Sequence, residues 1–219
     1  MVFLMRIFSL LLVTVLLVGA ASAQRPWPTV RVYDATKCGA QFLVDQASVC
    51  MPENDRLGPP LATRDPKSVA FAVRDLHSRR LIQQVEDLAQ SDHVFIVSGD
   101  VLRRVGLVDL TVKLEPLVYG QAQVSIVNAL PCAGYTDIYL LGPNDSLEDS
   151  QPWARPVTPT STITAILQPG TYHVVMTRCG TKDVVSRSRP FRLEPGERKA
   201  AFAVYDPGWD CNRFVVVGG

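Results

Sequence analysis

The chain has 219 residues, 47% of them hydrophobic, with 22 basic and 21 acidic side chains and a formal net charge of +1. Setting aside an N-terminal export signal that carries Arg6 leaves 21 basic residues against 21 acidic ones (22 − 1 = 21). A neutral chain with dispersed basic residues offers no electrostatic footprint for nucleic acid or an anionic membrane, and 16 prolines with 14 glycines interrupt it too often for long helices.

In chain order, the first element is the signal, residues 1–23. Arg6 is its positive region, Ile7 to Val18 its apolar run, and Ala21-Ser22-Ala23 a small-residue cleavage site before Gln24. The apolar run is shorter than the roughly 20 residues a membrane-spanning helix needs, so the mature chain is expected to be exported, to the periplasm or beyond. In the first half, residues 24–114, strands are predicted at Val30–Tyr33, Gln41–Val44, Ser68–Val73, Leu81–Leu88 and His93–Val97. Leu81, Val85 and Leu88 also fit helical spacing, and the strand is the preferred reading. Pro52 to Pro66 is a charged, proline-rich loop, and Val105, Leu107 and Val108 open a last strand within the crossing segment Val101 to Gln121. The second half, residues 115–219, is predicted to hold seven strands: Gln123–Asn128, Tyr135–Leu141, Ser161–Leu167, Thr171–Thr177, Val184–Leu193, Ala200–Tyr205 and Arg213–Val217. Gly142 to Pro159 is expected to be a polar connection. Pro169-Gly170, Pro195-Gly196 and Pro207-Gly208 mark turns, proline presetting the first central position and glycine taking the positive angle of the second.

A faint repeat joins the halves. Val30-Arg31-Val32-Tyr33-Asp34-Ala35-Thr36-Lys37-Cys38-Gly39 returns as Val124-Ser125-Ile126-Val127-Asn128-Ala129-Leu130-Pro131-Cys132-Ala133 at a constant offset of 94 (124 − 30 = 94). Each copy is an alternating strand running into a tight loop. The expectation is an all-β protein of two tandem antiparallel β-sandwiches, the first a degenerate copy.

Four landmarks carry a family resemblance: Gln123 to Pro131, Thr136-Asp137-Ile138-Tyr139-Leu140, Leu167-Gln168-Pro169-Gly170-Thr171-Tyr172, and Phe191-Arg192-Leu193-Glu194-Pro195-Gly196. In order and spacing they resemble a domain-of-unknown-function family of exported bacterial proteins, over residues 121–217. The resemblance implies Ig-like sandwiches, commonly in tandem, without an established enzymatic activity. The chain departs from that pattern at Leu130 to Gly134, so no ligand role of an aspartate in that loop carries over.

Candidate chemistry is sparse. His77, His93 and His173 are the only histidines, and none stands in a zinc-binding spacing. Asn144-Asp145-Ser146-Leu147-Glu148-Asp149 has oxygen ligands suited to calcium but lacks the EF-hand spacing and mid-loop glycine, so a solvated loop is the preferred reading. Trp27, Trp153 and Trp209 lie outside the predicted strands, either as a loop binding surface or as plugs of their own cores. Five cysteines in an oxidising compartment leave at least one unpaired in the monomer. If every connection in the second half reverses direction, Cys179 and Cys211 share one end and form the expected pair, with Cys132 a leftover thiol at the other. Cys38 and Cys50 close a short hairpin loop, a bridge contributing about 2–3 kcal/mol.

The function expected from this reading is a non-catalytic exported protein that needs no cofactor and binds an unknown protein or glycan of the envelope, or serves a structural role there. The rival expectations are an envelope hydrolase or metal-dependent enzyme with a scattered site around His93 or His173, and an extracytoplasmic protease inhibitor.

Overall fold

The computed structural model describes residues 30–35, 40–44, 47–49, 57–58, 60–61, 69–75, 81–86, 91–98, 106–113, 117–130, 134–206 and 211–218. The expected signal, Trp27, Trp209, His77, Cys38, Cys50 and Cys132 lie outside these residues. Among the described residues the chain is all-β. The first half contributes β1 (Val30–Asp34), β2 (Ala40–Val44), β3 (Ala47–Val49), β4 (Val69–Asp75), β5 (Leu81–Glu86), β6 (Ser91–Ser98) and β7 (Gly106–Lys113). The second contributes β8 (Ala122–Asn128), β9 (Thr136–Leu141), β10 (Ala154–Val157), β11 (Thr162–Leu167), β12 (Gly170–Arg178), β13 (Val184–Arg187), β14 (Phe191–Leu193), β15 (Arg198–Asp206) and β16 (Cys211–Gly218). The segment with both helical and strand spacing, Leu81 to Leu88, supplies a strand, because pairing with β4 outweighs a short local period.

Each half is a pair of facing sheets. In the first, β1-β6-β7 packs on β3-β2-β4-β5; in the second, β11-β8-β15-β16 packs on β10-β9-β12-β13, with β14 also paired to β12. The expectation of purely antiparallel sheets needs correction. β1 runs parallel to β6, and β8 parallel to β15. The partners in each pair are far apart in sequence, and the long crossover between them lets both strands run the same way.

The ladders repeat residue by residue. Val30 pairs with His93 and Val32 with Phe95, while Val124 pairs with Lys199 and Ile126 with Ala201. The next bond is the same in both: Ala35 N–H donates to Val97 O at 2.8 Å, and Ala129 N–H to Ala203 O at 3.0 Å. Val30, Val32, Phe95, Val97, Phe42, Phe71 and Val73 form one core. The residues at corresponding ladder positions, Val124, Ile126, Ala201, Ala203, Ile138, Val174 and Met176, belong to a second.

A third core lies between the halves. Tyr33, Ala35, Val94, Ile96, Val108 and Leu110 of the first pack against Val127, Ala129, Ala200, Phe202 and Val204 of the second, with Val215 and Val217 beside them. The four sheets therefore stack as four layers, and the central strands β6, β8 and β15 of the two middle sheets are buried on both faces. This explains why the Ala200-Ala201-Phe202-Ala203-Val204 run of β15 does not alternate with polar residues, as it would with one face in water.

Two sequence expectations in the second half change. The connection Gly142 to Pro159 contains β10, an edge strand paired only to β9; its Pro156 obscures it in the sequence and is tolerated because an edge strand has no outer ladder to feed. Val184 to Leu193 is not one strand but two. Between them Ser188 leaves the ladder, its N–H donating to Val174 O and its Oγ accepting from Val174 N–H at 2.9 Å each, and Pro190 has no N–H with which to continue.

Candidate functional site

The outer face of the β9–β12 sheet gathers most of the distinctive side chains. Alternation along β9 and β12 sends Ile138, Val174 and Met176 into the core and leaves Tyr139, Leu141 and Val175 on the opposite face. Those three are nevertheless buried, because the 142–153 segment folds over them and seats Leu147 against them.

Lys182 pins this cover. Its Nζ donates to Leu147 O at 2.5 Å and Ser150 O at 2.7 Å, and lies 4.5 Å from the Tyr139 ring centroid. Carbonyl oxygens that a cation would seek are thus taken by an ammonium of the chain itself, with a cation–π contact beneath it. Asp145 and Ser150 close the loop locally: Gly142 N–H donates to Asp145 Oδ2 at 2.7 Å, and Ser150 Oγ donates to Ser146 O at 2.6 Å. The preferred solvated-loop reading of Asn144 to Asp149 is thereby refined to an exposed loop fastened from below. His173 lies on the same face. Partial burial and the nearby Arg187 charge hold its pKa below the ordinary 6.5, against the opposing pull of Asp145.

At one end of this face Asp137 holds the turn between β12 and β13. Its buried carboxylate accepts Gly180 N–H at 2.8 Å, and Gly180 takes the positive φ of 75° that the turn requires. Cys179 N–H donates to Tyr135 O at 3.2 Å. Desolvation beside Asp137, the hydrogen bond to that carboxylate and its charge push the Cys179 thiol up, with Arg155 pulling the other way. Such a thiol is a poor nucleophile at neutral pH, because little of it is thiolate.

Cys179 is exposed and free, so the expected bridge to Cys211 is not formed. Cys179 and the start of β16 do share one end, as expected; what changes is the place of the Leu130 to Gly134 connection. Counting β10 reverses the parity: β8, β10, β12 and β15 now finish at one end, where Thr160 N–H caps Asn128 O at 3.1 Å. The connection from Leu130 to Gly134, the β12–β13 turn and the start of β16 all belong to that end, rather than to two opposite ones.

The remaining candidates are dispersed. Trp153 precedes β10, its N–H donating to Ile138 O at 2.7 Å, and is 50% exposed; Tyr135, at the start of β9, is 60% exposed. Trp153 is therefore not a plug of the core. His93 is buried in the first half, its Nδ1 3.0 and 3.1 Å from the Asp109 oxygens and its ring stacked on Phe95. His93 and His173 belong to different halves and form no common site. Sequence reasoning passed over Asp137 and Lys182. A carboxylate inside an alternating strand, where such residues are depleted, was the available signal for Asp137; Lys182 had none, since a turn lysine is ordinarily solvated.

No family model matches the chain, and no curated protein is significantly similar to it.

Proposed function

We propose that this chain is an exported, non-catalytic binding protein that acts through the loop-covered outer face of its second sandwich, with a protein or glycan of the envelope as partner. The observation that carries this reading is the exposure of Tyr135 and Trp153 at 60% and 50% beside a face whose other aromatic, Tyr139, is buried. Large amphipathic side chains held out beside the ends of strands contribute contact area at small entropic cost. The chemically capable groups nearby hold structure instead: Lys182 fastens the loop, Asp137 fastens the turn, and the Cys179 thiol is pushed up.

The test compares envelope-extract capture by the processed protein with capture by a Tyr135→Ala/Trp153→Ala variant of unchanged circular dichroism. A partner retained by the first and lost by the second supports the reading; identical capture by both sinks it. Intact mass of the exported protein, expected to begin at Gln24, tests the compartment separately.

A further inference from the structure

The contact between the two halves is built like the contact of a symmetric dimer. The ladder registers make Tyr33 equivalent to Val127, Ala35 to Ala129, Val94 to Ala200, Ile96 to Phe202, Val108 to Val215 and Leu110 to Val217. All twelve line the middle core. Each half therefore presents the same face, and the contacts are reciprocal in part, β7 also meeting β11 and β15 without a counterpart of equal extent on the other side. β6 lies against its equivalent β15 and β7 against β8; β16 meets β1 through Arg213 and Tyr33. This approximates an isologous interface of the kind that joins two identical subunits, enclosed within one chain.

We infer that the β8-β15-β16 face is a self-recognition surface, and that when the first half does not cover it, its partner is the same face of a second copy of this chain. The six residues that replace their own equivalents, Val127, Ala129, Ala200, Phe202, Val215 and Val217, are all apolar, while Gln123 and Ser125 of β8 lie on the same face. The volumes do not fully compensate: Tyr33 to Val127, Val94 to Ala200 and Leu110 to Val217 lose size and only Ile96 to Phe202 gains it, so a self-paired core is less well filled than the native one and the first half is the better partner wherever it is in place. A polar element opposes self-pairing as well. Arg213 Nη2 donates to Tyr33 Oη at 2.6 Å, whereas a second copy offers Val127 there, and the position equivalent to Arg213 in the first half is Gly106. The Arg213–Tyr33 bond thus selects the first half over a second copy, and the tether adds its effective concentration to the same choice.

The test uses the full chain with the first-half face charged, as Leu110→Arg and as Ile96→Arg/Leu110→Arg, followed by sedimentation equilibrium up to about 100 μM, a range in which a micromolar dimer is resolved. Both variants are expected to form dimers where the parent is monomeric. Adding Phe202→Arg, which charges the second-half face, is expected to return them to monomers. Unfolding of the first half by these substitutions leaves the prediction intact, because the second-half face is then uncovered as well. Monomers throughout, or dimers that survive Phe202→Arg, would overturn the inference.

Discussion

Arg213 donates from Nη2 to the Tyr33 hydroxyl at 2.6 Å, joining residues 180 positions apart. Around this bond the Tyr33 ring packs edge-on to Phe202, with centroids 4.8 Å apart. A hydrogen bond to a charged donor contributes about 1.5–3 kcal/mol. Tyr33→Phe keeps the ring and removes the acceptor, so urea unfolding should show a loss of about 1–2 kcal/mol. Phe202→Ala, which opens a cavity in the same core, should cost about 3–5 kcal/mol. A loss below 1 kcal/mol for Phe202→Ala would mean that the halves do not pack as described.

Lys182 should govern the cover over the β9–β12 face. Lys182→Met keeps the length and apolar stem but leaves the Leu147 and Ser150 carbonyls without their donor. The expected outcome is a loss of about 2 kcal/mol and faster proteolysis within residues 142–153. Unchanged cleavage there would show that Leu147 alone retains the loop.

Acidification should weaken the fold through His173. Its folded pKa lies below the ordinary 6.5, so on lowering pH the unfolded chain takes up the proton first. Stability is then lost as pH falls from above 6.5 to the folded pKa, and no further loss from this group follows below it. His173→Gln should flatten that segment of a stability–pH curve. Glu197, held low by Lys199 and by the Glu194 N–H, contributes stability above the ordinary carboxylate range and loses it at more acid pH, which separates the two effects.

Cys179 should label with maleimide in the native protein without reductant, because it is exposed and free. Its raised pKa predicts slow alkylation at pH 7 that accelerates steeply toward alkaline pH. Asp137→Asn, which removes the nearby charge, should speed the neutral-pH reaction. A thiol that reacts only after reduction would instead place Cys179 in a disulfide, which non-reducing peptide mapping would then assign.

Alternation by itself determined that this protein is all-β, and the spacing of apolar residues put Val30 and Val32, like Val124 and Ile126, on buried faces. Period two reports that a side chain leaves water, which is a local property of a strand. It does not report which layer receives it. The outward faces of β8 and β15 could be understood only once the first half was seen to cover them, and Gln123 and Ser125 are buried there for the same reason. Strand direction was equally invisible, since one edge strand hidden by Pro156 inverts every later turn and brings the β12–β13 turn and the start of β16 to the end where β8 finishes. Lys182 reads as a solvated turn residue because its partners, the Leu147 and Ser150 carbonyls, lie more than thirty positions away on another loop. Tertiary structure alone decides such contacts, because backbone carbonyls are the same at every residue and only the fold brings particular ones to a given charge.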